Sequence, residues 1–319
     1  MDYPRFLDIW RNLDSEIEVS TSGSTGTPKK IFLEKRMMRE SAERTNNFFN
    51  ISAASHLHSC ISPDFIGGKM MAVRAELAGC GFSWENPSNR PLADLPKNRV
   101  LDLVAVVPSQ MNFITDSLSR LPDIKNIIVG GAPIPSILRG KIHESGINAY
   151  ETYGMTETAS HIALRKITSD RIPFVTFENI GIEKSDSGTL VINLPGQPPV
   201  ITTDLCEIVS DREFFIIGRK DNIIITGAKK VNPLDIEERI RQFIPQRFIV
   251  TAFPHNLWGE RIVLIIEGRD FFSSDSLMKQ ISEVLPAWQK PKEIIFVDKL
   301  PETSNGKLKR SKNPEDYRS

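Results

Sequence analysis

Cysteine is scarce in this chain. Its 319 residues include three, Cys60, Cys80 and Cys206, far apart and without a C-x-x-C pair. That pattern counts against a disulfide framework or a zinc module and predicts a reducing cytoplasm. Net charge is absent too: 40 Lys and Arg balance 40 Asp and Glu. No global field therefore draws the chain to nucleic acid or to an anionic membrane. No apolar run approaches the ~18 residues of a membrane span. The opening MDYPRFLDIWRNLDSE is mixed and acidic, which does not fit a signal peptide. Repeats and low-complexity segments are also missing. What is present is an ordinary globular composition, 40% apolar and 25% charged. The length suggests about two domains.

From about Val100 to Gly218, β-branched apolar runs alternate with amphipathic stretches. LDLVAVVP (101–108), NIIVGG (126–131) and NAYETYG (148–154) read as strands, MNFITDSLSRL (111–121) and PIPSILRGKIHESG (133–146) as helices. That order predicts an α/β fold with a mostly parallel, helix-covered sheet. GTLVINLP, PPVITTD, LCEIVSD and REFFIIG follow as short runs of a small antiparallel region. The texture changes near Gly218. It divides an N-terminal domain, 1–217, from a small α+β C-terminal domain, 218–319.

Four stretches carry chemistry. TSGSTGTPKK (21–30) lies between the strand-like edges EIEVS and KIFLE, so it is a hairpin loop. Its glycines and hydroxyls can turn donors toward an anion, although the P-loop spacing is missing. A solvated turn explains it equally well. YETYGMTETASHIALRK (150–166) groups an aromatic ring, hydroxyls and the Glu157 carboxylate. The carboxylate suits Mg²⁺ beside phosphates, and a helix N-cap from Thr156 or Thr158 is the plainer reading. GRKDNIIITGAKKVNP (218–233) suits a hinge or an ordinary charged hairpin, and LPETSNGKLKRSK (300–312) is a basic loop with Lys307 at its tip.

Together, in this order, these stretches resemble the adenylate-forming superfamily of acyl-CoA synthetases, peptide-synthetase adenylation domains and luciferases. NIIVGGAPIP, YGMTE, ITTD, GRKDNIIITG and PETSNGKLKR match its other motifs, so the resemblance covers residues 19–310. The resemblance implies ATP, Mg²⁺ and coenzyme A as co-substrate. A carboxylate attacks the α-phosphorus to give an acyl-adenylate, and a thiol then displaces AMP. It also implies roles. Ser22, Gly23, Ser24, Thr25, Gly26 and Lys29 would hold the β- and γ-phosphates. Gly131, Ala132 and Pro133 would flank adenine, with Tyr153 and Gly154 beside it. Thr156 would bond the α-phosphate and Glu157 the metal. Asp204 would bind the ribose, with Arg219 next to it. Asp221 matches the hinge of a mobile C-terminal domain. Lys307 would bridge carboxylate and α-phosphate, then leave as that domain rotates and brings residues 225–231 in to shape a thiol channel.

The sequence also departs from the family. About 20 residues precede the phosphate loop, where relatives commonly carry well over a hundred. A truncated N-terminal scaffold is expected, covered by a homodimer or trimmed away. The usual Gly-Gly of the hinge hairpin is Gly227-Ala228. Within the family, VVPSQ (106–110), IVGGAPIP and YGMTETASHIA look most like o-succinylbenzoate–CoA ligases of menaquinone biosynthesis. Such a substrate keeps one carboxylate unreacted, and a buried pocket must pair it with a cation. Lys69 is the first candidate and Arg74 the second; a solvated helix face is the alternative for both. His58, Ser109, Gln110, Ser160 and His161 are polar candidates. HLH (56–58) reads as a strand with both histidines on one face, and no third metal ligand is in sight. Other functions remain: a ligase for another aryl or acyl carboxylate, an enzyme loading a carrier-protein thiol, or a silent nucleotide binder.

Overall fold

Asp2 and Pro4 start the first helix. The Asp2 carboxylate accepts from the Arg5 N–H at 2.9 Å, and the proline sits in the first turn, where no N–H is needed. Helix α1 (Tyr3–Arg11) then buries Tyr3, Phe6 and Trp10, one face at helical spacing. The computed structural model describes residues 1–21, 29–268, 274–302 and 308–317. Next come β1 (Glu16–Ser20) and β2 (Lys30–Glu34), an antiparallel pair with Ser20 opposite Lys30. The expected hairpin is present. The Thr21 N–H donates to Lys29 O at 2.8 Å and prolongs it by one step.

A parallel block follows: α2 (Lys35–Phe48), β3 (His56–Ser59), α3 (Ile66–Ala78), β4 (Gly81–Trp84), β5 (Val100–Leu101), β6 (Leu103–Val106), α4 (Pro108–Ser117), β7 (Asp123–Ile124), β8 (Ile127–Val129), α5 (Ser136–Glu144) and β9 (Ala149–Met155). The sheet order is β4-β3-β6-β8-β9, and every pair is parallel. All four residues of β6 are buried, as in a strand covered on both faces. β5 and β7 form a separate small parallel pair. Helix α5 starts at Ser136, later than its apolar pattern suggests, because Pro133 and Pro135 hold the preceding residues extended. Loops after β3, β6 and β8 leave the same end of the sheet, where open parallel sheets bind ligands.

β10 (Ser160–Lys166) folds back on β9, and the sheet continues through β11 (Phe174–Thr176), β12 (Gly181–Lys184), β13 (Thr189–Asn193), β14 (Val200–Ser210) and β15 (Glu213–Arg219). Beyond β9 the order is β10-β11-β15-β14-β13-β12, eleven strands in all. The pairs β9–β10, β10–β11 and β11–β15 are antiparallel. The antiparallel region is thus an extension of the large sheet. PPVITTD and LCEIVSD, which read as two runs, lie in the single strand β14.

The chain divides into two compact units. One contains residues 1–185, 191–202 and 207–215; the other contains 186–190, 203–206 and 216–319. The second unit has its own five-stranded sheet. It is built from β16 (Ile224–Thr226), β17 (Lys229–Val231), β18 (Phe248–His255), β19 (Gly259–Glu267) and β20 (Glu293–Val297), with helices α6 (Pro233–Ile240) and α7 (Ser274–Val284). Asn232 caps α6, its side chain accepting from the Leu234 N–H at 3.2 Å. Ile236, Ile240, Phe248, Val250, Leu264, Leu277 and Ile281 form the core.

The β16–β17 hairpin turns through Gly227 and Ala228, with φ of 54° and 63°. Two left-handed residues make the tight turn that matches strand twist. Ala228 is strained there, by roughly 1–2 kcal/mol, whereas glycine is free. Ala228→Gly is expected to raise stability by up to about 1 kcal/mol, after the entropy that glycine adds to the unfolded chain. A urea titration measures it, and a lower midpoint would contradict the strain argument.

Candidate active site

Helix α3 is buried on all sides from Gly68 to Ala75. Gly68 permits this: a Cβ there would lie 2.3 Å from Ser62 O. Lys69 and Arg74 therefore do not form a solvated face; they are 4% and 1% exposed. The two cations differ. Lys69 Nζ donates to Pro63 O at 2.5 Å and Asp64 O at 3.2 Å, so it is committed to the loop before its own helix. Arg74 Nη2 reaches only Ser160 Oγ and His161 Nδ1, both at 3.4 Å. Its Nε has no hydrogen-bond partner, and no carboxylate pairs with it among the described residues. Burial pushes its pKa down to about 9, so the guanidinium is charged at neutral pH. Of the two candidates, Lys69 is held by its own loop, and Arg74 is the one with a buried nitrogen left without a partner.

Arg165 shows what a settled buried arginine looks like. It sits opposite Glu151 in the β9–β10 ladder and donates to it through Nε at 2.8 Å and Nη2 at 2.6 Å. Its guanidinium also covers the Phe174 ring, at 4.2 Å.

His161 holds the other side of Arg74. Because its Nδ1 accepts from the guanidinium, the ring proton is on Nε2. That proton goes to Thr45 Oγ1 at 3.0 Å, and the Thr45 hydroxyl donates to Ser41 O at 3.1 Å. Thr45 and Ser41 carry no local sequence signal, being about one hundred residues away in the chain. Burial first, and then the Arg74 charge, push the His161 pKa well below its ordinary value. The unfolded chain therefore binds more protons below about pH 6.5, and stability is lost as pH falls. The expected loss is about 1.4 kcal/mol per pH unit. Urea midpoints at pH 7 and pH 5 should show a smaller loss in His161→Gln. Equal losses in both proteins would place the acid sensitivity elsewhere.

The YGMTE stretch ends β9 and turns through a short 3₁₀ segment, Thr156–Thr158. Ala159 and Ser160 follow with positive φ, 50° and 89°. Gly154 is required by its neighbour strand, since a Cβ would lie 2.2 Å from Ser160 O. Thr156 is buried; Glu157 is exposed and has no ion pair among the described residues. A free carboxylate of this kind fits a hard divalent cation. Half-buried Tyr153 packs against Phe214 and Phe174, with ring centroids at 5.2 and 5.7 Å. Gly131, with φ of 93°, and Ala132 and Pro133 are exposed just after β8.

Ser109 is exposed in the first turn of α4. Gln110 is spent on structure: its Oε1 accepts from Val107 N–H, and its Nε2 donates to Cys60 O and Ser88 O. His58 is fully buried, and its Nδ1 lies 2.8 Å from Ser83 Oγ. A concavity of about 530 Å³, lined by Leu118, Pro122, Lys125 and Ile147, lies where the chain enters β8 and β9. That is the opposite end of the parallel strands, and it holds none of the motif residues.

In the second unit, Arg219 gathers the predicted residues. Its Nη1 lies 3.7 Å from Asp204 Oδ1, and its Nη2 lies 3.4 Å from Asp221 Oδ2 and donates to Thr203 Oγ1. Lys29 is exposed at the base of the β1–β2 loop. Ser22, Gly23, Ser24, Thr25, Gly26 and Lys307 lie outside the described residues. Glu302 and Leu308, on either side of the Lys307 loop, form an antiparallel bridge.

The AMP-binding enzyme family model matches residues 20–192, more than half of the chain, and the AMP-binding enzyme C-terminal domain matches 234–307. The chain belongs to the AMP-binding enzyme family. A 2-succinylbenzoate–CoA ligase of Listeria monocytogenes is 25% identical over 97% of this chain and 72% of its own length. An acyl-CoA synthetase (AMP-forming)/AMP-acid ligase II-like protein from Dyadobacter fermentans is 28% identical with a TM-score of 0.62, covering 95% of this chain and 90% of its own. The o-succinylbenzoate CoA synthetase MenE of Bacillus subtilis, solved with the acyl-adenylate intermediate OSB-AMP, has a TM-score of 0.81 at 18% identity, over 92% of this chain and 67% of its own. The same protein is known with ATP and a magnesium ion, at 19% identity, a TM-score of 0.80 and coverage of 92% and 68%. This AMP-binding enzyme has the α/β fold of adenylate-forming proteins, and no described helix is long and apolar enough to cross a membrane.

Proposed function

We propose that this chain is an AMP-forming acid–CoA ligase that converts o-succinylbenzoate to its CoA thioester. The observation that carries the substrate class is Arg74: a buried, charged guanidinium without a carboxylate partner among the described residues. An isolated buried cation is costly, and a substrate carboxylate removes that cost. Ser160 and His161 orient it. A substrate with two carboxylates offers one to Arg74 and the other to adenylation. The names of the Listeria and Bacillus relatives point to the same acid.

In this reading Ser22, Gly23, Ser24, Thr25, Gly26 and Lys29 bind the β- and γ-phosphates of ATP. Gly131, Ala132, Pro133, Tyr153 and Gly154 bind adenine, and Asp204 accepts from the ribose hydroxyls with Arg219 holding it. Thr156 donates to the α-phosphate. Glu157 holds Mg²⁺, which offsets phosphate charge when bound. Lys307 bridges the two anions that must meet, and Asp221 serves the hinge. The 1–217 and 218–319 division and a cytoplasmic location belong to the same proposal. A homodimer is also proposed. Trp84, 43% exposed, lies on β4, the edge strand of the large sheet, and sedimentation should return a dimer.

Pyrophosphate release with ATP and Mg²⁺ tests the proposal, using o-succinylbenzoate, benzoate and a medium-chain fatty acid, each with and without CoA. Turnover is expected with o-succinylbenzoate alone and should rise with CoA. Turnover with another acid discards the substrate and keeps the chemistry. Adenylation without a response to CoA favours a carrier-protein thiol. No release with any acid, and no ATP binding by calorimetry, would end the enzymatic reading.

A further inference from the structure

Three side chains at the ends of β3 and β4 converge. The parallel register sets His58 beside Ser83, and the Glu85 N–H donates to Ser59 O at 3.1 Å. Side chains two apart along a strand share a face, so His58 and Cys60 point the same way, as do Ser83 and Glu85. One ligand atom from each of His58, Cys60 and Glu85 falls within 4.8 Å of the others. His58 Nε2 lies 3.6 Å from Glu85 Oε2, and about 3.4 Å separates nitrogen and oxygen on a tetrahedral zinc ion.

We propose that His58, Cys60 and Glu85 form a binding site for a divalent cation of the zinc class. Three observations support it. His58 is 0% exposed, yet its Nε2 has no hydrogen-bond partner. A bare ring nitrogen in a protein core is costly, and a metal ion satisfies it. The other ring nitrogen, Nδ1, lies 2.8 Å from Ser83 Oγ. Donation there fixes the tautomer that leaves Nε2 as a ligand, the usual support for a metal-bound histidine. Glu85 is held too: both its oxygens lie 3.1 Å from the Leu92 N–H.

The donor set also selects the ion. A thiolate and a carboxylate together neutralise a 2+ charge, and the imidazole adds none. Sulfur and nitrogen donors favour zinc-like ions over Mg²⁺ or Ca²⁺. Cys60 is 1% exposed, and burial pushes its thiol well up, so it keeps its proton without an ion. Binding breaks the S–H bond, forms a metal–thiolate bond and releases one proton to solvent. The sequence hid this site. H-x-C lacks a recognisable zinc spacing, and Glu85 arrives only through the pairing of β3 with β4.

The test is Co²⁺ alone, titrated into the reduced, metal-free full chain and followed by absorbance. One equivalent should bring a thiolate-to-cobalt charge-transfer band with tetrahedral visible bands. Zn²⁺ should abolish both, and excess Mg²⁺ should not. Cys60→Ser should lack the charge-transfer band, and His58→Gln should bind Co²⁺ at least about tenfold more weakly. Melting curves establish that both variants are folded. Ser83→Ala, which keeps all three ligands, should weaken Co²⁺ binding and retain the band. No band in the wild-type chain overturns the proposal, whatever the variants do. A band that survives in folded Cys60→Ser, or one removed by Mg²⁺, also overturns it.

Discussion

Arg74→Met is expected to lower kcat/KM for o-succinylbenzoate by about 10²–10³-fold while leaving the chain at least as stable. The two effects have opposite signs for one reason. In the free protein the guanidinium is buried with three long contacts, to the Met71 sulfur, Ser160 and His161, and with an orphaned Nε. Its desolvation is not compensated, and replacing buried ions with apolar groups of similar size is often neutral or stabilising. With substrate bound, the balance reverses. The unreacted carboxylate would lie in the same buried place without a cation, a loss of roughly 3–4 kcal/mol. Benzoate lacks the second carboxylate, so its turnover, however slow, should change little. Arg74→Lys should recover only part of the activity, because an ammonium lacks the planar fork. Steady-state kinetics with both acids and a melting curve decide the matter. An equal loss for both acids would mean that Arg74 supports the fold of the site rather than reading the second carboxylate.

Much of the architecture was legible because it depends on local pattern. The β-branched runs at 101–108, 126–131 and 148–154 became β6, β8 and β9, and the loop flanks EIEVS and KIFLE became β1 and β2. Other features depend on tertiary placement. Lys69 and Arg74 look alike on a helix in sequence. Only the burial of α3 on all sides, and the capture of Lys69 by Pro63 O and Asp64 O, separates them. Gln110 carries an amide that could face a ligand; the fold uses it to tie α4 to Cys60 and Ser88. His161 acquires its tautomer from Arg74, and its remaining proton finds Thr45, on a helix far away in the chain. Local periodicity finds strands and helices. It does not say which polar side chain is left unsatisfied, and chemistry happens there.

Lys307→Ala is expected to reduce carboxylate adenylation by about 10³-fold, the scale of losing a preorganised charge at a reacting centre. The step brings a carboxylate onto a phosphate that is itself anionic, so repulsion is part of the barrier. A cation touching both groups lowers it most when they are closest, which makes the interaction stronger in the transition state than in the ground state. The effect should therefore appear in kcat as well as in kcat/KM. Lys307 lies outside the described residues, between Glu302 and Leu308, which form a backbone bridge; a side-chain truncation leaves that bridge intact, so the melting temperature should be unchanged. The second half-reaction provides the control. Its proposed course has Lys307 withdrawn before the thiol attacks, so CoA transfer from added acyl-adenylate should proceed in Lys307→Ala at close to the wild-type rate. Pyrophosphate exchange measures the first step and thioester formation the second. If both fall together, Lys307 serves a role common to the two steps, and the division of labour proposed for the C-terminal unit is wrong.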